Sequence, residues 1–125
     1  MFEKLEITAM AQAMAAHAGD RMGLVARNVA HADTPGYRAL DLPSFDEVYR
    51  AEEGGMRATR PGHLGEGFTR AAEAFAVRSG AAPNGNTVSL EGEMLKAAEI
   101  RQEQDMALAI YRSASGILRS SLGRG

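Results

Sequence analysis

No proline occurs before Pro35 or after Pro83, so both ends of this chain are free to form long uninterrupted helices. Toward the N-terminus, Ile7, Met10, Met14, Ala18, Met22, Val25 and Val29 follow one another at steps of three or four. That spacing lays an apolar stripe along one face of an α-helix, expected over 3–31, with Glu3, Lys4, Gln12, Asp20, Arg21 and Arg27 mostly off it. Gly19 and Gly23 each weaken such a helix by about 1 kcal/mol relative to Ala, or mark the close approach of another helix. Toward the C-terminus, Ala107, Ile110, Tyr111, Ala114, Ile117 and Leu118 keep helical spacing. Leu90, Met94 and Ala97 carry a heptad-like series further back, interrupted by Arg101 and Gln104. A second helix is expected over 89–122, with Ser89 as N-cap and Glu91 and Glu93 favourably placed near the positive end of its dipole. The pairs Glu91/Glu93 and Glu99/Glu103 are expected on its solvated face.

Between the two runs the character changes. Leu42–Arg50 suits a short helix, with Ser44 as N-cap and Glu47 completing a capping box. Eight of the fourteen glycines then fall between Gly54 and Gly92, and Met56, Leu64, Phe68, Phe75 and Val77 are too scattered to form a stripe. Loop is expected there, with short strand fragments around Phe75–Arg78 and a turn at Pro83-Asn84-Gly85-Asn86. The chain reads as one mainly α domain over 1–125: two long terminal helices in an antiparallel hairpin or coiled-coil-like layer, joined by the segment 32–88.

The exit from the first helix is the most specific stretch. Pro35 disfavours helical geometry at Thr34, and Pro-Gly suits the central positions of a type II turn, where Gly36 takes positive φ. Asn28, Asp33 and Thr34 are short polar side chains able to bond backbone groups freed at a helix end. Tyr37 offers an aromatic body with a polar tip to anchor against a neighbouring helix.

Composition excludes several functions. Net charge −2 and a pI near 5.9 leave no basic footprint for nucleic acid or an anionic membrane surface. No apolar run is long enough to insert across a membrane. The N-terminus carries Glu3 and Glu6, with no apolar core of a cleavable signal, so the chain is expected to stay in the cytoplasm or leave it by another route. His17, His31 and His63 have no partner at chelating spacing, so no metal site is expected. There is no cysteine, no nucleophile elbow, no phosphate loop and no dinucleotide fingerprint. No catalytic residue or cofactor is expected, and an enzyme is the wrong class.

Size argues for assembly. Each terminal helix would be roughly 40–50 Å long at 1.5 Å per residue, whereas a compact chain of this length has a radius of gyration of about 14 Å. Paired only with each other, the helices leave apolar flanks exposed, and copies of the chain are the natural cover. The competing architecture is a monomeric three-helix bundle with the Phe45 segment as third helix.

Two motifs carry a family resemblance. Asn28-Val29-Ala30-His31-Ala32-Asp33-Thr34-Pro35-Gly36-Tyr37 resembles the signature of the flagellar rod, hook and hook–filament-junction proteins. His31 stands where that family usually has a second Asn, which leaves the turn intact and leaves open any Asn-specific backbone bond there. Pro83-Asn84-Gly85-Asn86-Thr87-Val88-Ser89-Leu90-Glu91-Gly92-Glu93-Met94 resembles the family's entry into its C-terminal helix. With the short length, the resemblance is to the proximal rod members of the flagellar basal-body rod family.

The resemblance implies a structural subunit that polymerises through its terminal helices into the axial drive-shaft around the export channel. It implies export by the flagellar type III apparatus without a cleaved signal, and residence in the rod across the periplasmic space. Implied partners are further copies, FlgC-type rod subunits, the rod–MS-ring adaptor FliE and the MS ring. On this reading Met10, Met14, Met22, Val25, Val29, Leu108, Tyr111 and Leu118 pack between subunits, and Thr34-Pro35-Gly36-Tyr37 fixes where the chain leaves the helical layer. Phe45-x-x-x-Tyr49 resembles an export-recognition motif of early flagellar substrates, against the plainer reading of a packed i,i+4 pair on a short helix. A soluble helical adaptor or export chaperone is the alternative function, but would have no reason to carry both motifs.

Overall fold

The computed structural model describes residues 2–58, 74–77 and 80–123. Two long helices, α1 (Phe2–Ala30) and α3 (Leu90–Gly123), carry the fold, with a two-residue strand β1 (Leu40–Asp41), helix α2 (Phe45–Ala58) and strand β2 (Phe75–Ala76) between them. The expected mainly α class with long terminal helices is the observed one. The helices run antiparallel: Ala18, Met22 and Val25 meet Ala97 and Ile100 near one end, and Ile7 lies near Ile110 and Ile117 at the other.

The seam between them runs in steps of seven. From α1 come Ala11, Ala18 and Val25, and from α3 come Glu93, Ile100, Ala107 and Ala114, all buried. A strict seven-residue spacing keeps one face toward the partner as the pair supercoils. Alanine at most of these positions brings the backbones close and leaves little apolar volume inside, so Ile100 is the largest wholly buried apolar side chain described. The apolar stripe therefore only partly coincides with the seam. Ile7 and Val29 face solvent, while Ala11, which lies off the stripe, is wholly buried.

Ser44 and Ser89 are the N-caps of the two later helices, as expected. Ser44 Oγ accepts from Glu47 N–H at 3.3 Å, and Ser89 Oγ accepts from Gly92 N–H at 3.2 Å. Helix α2 runs well beyond Arg50, through Gly54 and Gly55, because glycine weakens a helix without forbidding it. The strand fragment expected near Phe75 is β2, antiparallel to β1 with Leu40 opposite Ala76 and Asp41 opposite Phe75. Residues 59–73, with Leu64 and Phe68, lie outside the described residues, as does Arg78.

Candidate functional site

The two motifs, 28–37 and 83–94, close on each other at one end of the hairpin. Asn28, in the last turn of α1, is completely buried. Its Nδ2 donates to the Leu40 carbonyl at 2.8 Å, and its Oδ1 accepts from Leu40 N–H and from the Tyr37 hydroxyl, both at 3.0 Å. One amide side chain thus satisfies both backbone groups of a strand residue and holds the phenol that follows the turn. The turn is the expected one: Tyr37 N–H donates to the Thr34 carbonyl at 3.2 Å and Gly36 has φ 74°. Tyr37 anchors to the helix it follows, through its hydroxyl on Asn28, and its ring stacks on His31 just past α1 with centroids 4.7 Å apart. His31 Nδ1 pairs with the Thr34 hydroxyl at 3.2 Å, and Asp33 is exposed.

Asn86 comes from the second motif and is almost wholly buried. Its Nδ2 faces the carbonyls of His31 at 2.9 Å, Ala32 at 2.9 Å and Thr34 at 2.7 Å, so its two hydrogens serve three acceptors of the turn that follows α1. Its Oδ1 accepts from Val88 N–H at 2.7 Å. Around it, Gly36 N–H donates to the Asn84 carbonyl at 2.9 Å and Thr87 N–H to the Tyr37 carbonyl at 3.0 Å. The Thr87 hydroxyl accepts from Ala39 N–H at 2.9 Å. These bonds form a clasp that ties the exit of α1 to the approach to α3. The carbonyls just past the helix end are thus bonded by the Asn86 side chain rather than by those of Asn28, Asp33 or Thr34.

Beside the clasp sits a charged knot. Arg21 grips Asp41 with two hydrogen bonds, Nε to Oδ1 at 2.8 Å and Nη2 to Oδ2 at 3.1 Å. Lys96 Nζ lies 3.7 Å from Asp41 Oδ2 and 3.4 Å from Glu93 Oε1, and Arg21 Nη1 lies 3.9 Å from Glu103 Oε1. The knot ties β1 to both long helices. Burial pushes the Asp41 carboxyl up, but the hydrogen bonds from Arg21 and the Leu42 amide, with the charges of Arg21 and Lys96, outweigh it and hold it below the usual range. The Arg21 guanidinium is held above its ordinary value by its hydrogen bond to Asp41, against desolvation, with help from Asp41, Glu103 and Glu99 charges. Glu93 corrects the expectation of a solvated face: it is buried in the helix seam, because the seven-residue repeat points it at α1.

The candidate packing residues divide by position. Val25 is buried within the chain's own seam, and the partly buried Met22 packs against it. Met10, Met14, Tyr111 and Leu118 are half-buried, and Val29 and Leu108 are exposed. Sequence reading missed how far this exposure extends along α3: Leu90 (53 %), Met94 (72 %), Ile117 (47 %) and Leu122 (66 %) also face outward. Phe45 opens α2, its ring 5.6 Å from Tyr49 and 5.8 Å from His17. His17 Nε2 donates to the Pro43 carbonyl at 2.8 Å, so this histidine holds the start of α2 onto α1. Among the described residues no three acidic, histidine or cysteine side chains gather as a metal site.

No family model matches the chain. It is similar to the flagellar basal body rod protein FlgB of Agrobacterium fabrum, 36% identical over 102 residues that span 74% of this chain and 75% of that protein. It is also similar to FlgB of Cereibacter sphaeroides, 32% identical over 108 residues that span 82% of this chain and 84% of that protein.

Proposed function

This chain belongs to the FlgB family of flagellar basal-body rod proteins and is a structural subunit of the proximal rod, and from that premise we propose how it assembles. The whole of 1–125 acts as one rod domain that polymerises through α1 and α3 around the export channel. The outward apolar row on α3 carries this reading: Leu90, Met94, Leu108 and Leu122 all face outward beside a seam built mostly of alanine. Val29, Leu108 and the half-buried Met10, Met14, Tyr111 and Leu118 are the proposed contacts between subunits. The clasp holds the two helices in the register that neighbours would read. No helix among the described residues is long and apolar enough to cross a membrane.

Proposed neighbours are further copies, an FlgC-type subunit, the adaptor FliE and the MS ring, reached by type III export without a cleaved signal into the periplasmic part of the rod. Phe45 and Tyr49 are the proposed export-recognition pair. No catalytic role is proposed for any residue. The test is Met94→Glu with Leu108→Glu in a strain lacking the wild-type chain. The variant is expected to keep its helix content and to be exported, yet to leave cells without rods and non-motile. Motile cells with normal rods would overturn the proposed contact surface, and cells blocked before rod assembly at the export step would favour a chaperone role.

A further inference from the structure

The chain has three asparagines, Asn28, Asn84 and Asn86, and only Asn84 is followed by glycine. The side-chain carbonyl carbon of an asparagine is open to attack by the next backbone nitrogen, most readily before glycine, where no Cβ hinders the approach. The fold fixes both members of this pair. Gly85 has φ +84°, and a Cβ there would stand 3.4 Å from Gly36 Cα. Asn84 Oδ1 accepts from Asn86 N–H at 3.0 Å, and the Asn84 carbonyl accepts from Gly36 N–H at 2.9 Å. A residue with a side chain in place of Gly85 would strain the clasp. The closed clasp also occupies the attacking group, since Gly85 N–H donates to the Ala82 carbonyl at 2.8 Å.

We propose that Asn84 is a deamidation site, shielded by the closed clasp and open in the unfolded chain, so that chains held unfolded lose the ability to close it. A bond forms between Gly85 nitrogen and Asn84 Cγ, the Cγ–Nδ2 bond breaks, and Nδ2 leaves as ammonia with the proton from the Gly85 amide. Water then opens the cyclic imide at either carbonyl, giving aspartate or isoaspartate at position 84. The two products differ in consequence. Aspartate keeps the main chain and an oxygen facing Asn86 N–H. Isoaspartate routes the main chain through the side chain, and the carbonyl that accepted from Gly36 becomes part of a free carboxylate. The added methylene displaces Asn86 from the three carbonyls it holds.

The test incubates the full chain at neutral pH in buffer and in urea and follows the conversion of amide to acid by peptide mass spectrometry, with isoaspartate scored separately. Conversion at Asn84 is expected in urea while Asn28 and Asn86 stay intact. In buffer it should be at least about tenfold slower, equivalent to ~1.4 kcal/mol of opening free energy. Asn86→Ala should bring the buffer rate toward the urea rate. After urea is removed, chains with isoaspartate should fail to regain helix, whereas Asn84→Asp should refold. Equal rates in buffer and urea, no conversion at Asn84 in urea, or normal refolding of isoaspartate chains would each overturn the proposal.

Discussion

Replacing Asn28 with alanine removes three hydrogen bonds at once, to Leu40 N–H, the Leu40 carbonyl and the Tyr37 hydroxyl. Each is worth about 1 kcal/mol net, so Asn28→Ala should lose about 3 kcal/mol. Leu40 and Tyr37 are only half-buried, so water takes over part of what Asn28 gave up and keeps the loss from growing much beyond that. Against the 5–15 kcal/mol typical of a folded domain, that is a large fraction. Tyr37→Phe removes one of the three and should lose about 1 kcal/mol. Since Tyr37 bonds the same amide, the double variant should be no worse than Asn28→Ala alone, giving a coupling of about 1 kcal/mol. The assay is urea unfolding followed by far-ultraviolet circular dichroism, with a constant osmolyte concentration to keep every variant folded at the start. A loss below about 1 kcal/mol for Asn28→Ala, or strictly additive losses in the cycle, would refute the view that this amide organises the turn.

Other consequences follow from particular contacts. Asp41 is held below its unfolded value, so its pairing with Arg21 and Lys96 stabilises fully above the ordinary aspartate pKa of about 3.9. That stability drains away as pH falls through the depressed folded value, and Asp41→Asn should flatten the acid limb of a stability–pH profile. Gly85→Ala places a side chain at φ +84° beside Gly36 and should lose roughly 1–2 kcal/mol in a melt. Ile100→Ala empties the largest apolar position of the seam and should lose about 2–5 kcal/mol in urea unfolding. Gly19 and Gly23 have nothing within 4 Å of a built Cβ, so Gly19→Ala and Gly23→Ala should each stabilise the isolated chain by up to about 1 kcal/mol. If these glycines seat a neighbouring helix, the same variants should impair rod assembly when scored by motility.

The long helices and the turn were legible because proline placement, three-to-four spacing and Pro-Gly geometry act locally. Ser44 and Ser89 were legible as caps for the same reason. The seam was not, because alanine carries too little apolar surface to dominate a periodicity reading. Ala11 therefore gives no signal of its own, and the larger Met10 and Met14 draw the apparent stripe to one side. Glu93 looked solvated because a carboxylate normally is, and only the seven-residue register turns it inward beside Lys96. Asn86 could be recognised as part of a motif, but its work is done on carbonyls more than fifty residues earlier, which no local rule reaches. Asn28 has the side chain of a helix-end residue, yet it completes the pairing of Leu40, twelve residues on.

Amide hydrogen exchange across α1 and α3 tests assembly through the terminal helices most directly, on the isolated chain at low concentration and again with rod partners present. A seam made mostly of alanine predicts that amides in both helices exchange through frequent opening in the isolated chain and become strongly protected on co-assembly. Protection already complete in the isolated chain and unchanged by partners would contradict it. The hairpin would then be a self-sufficient domain, and its outward apolar row would need another explanation.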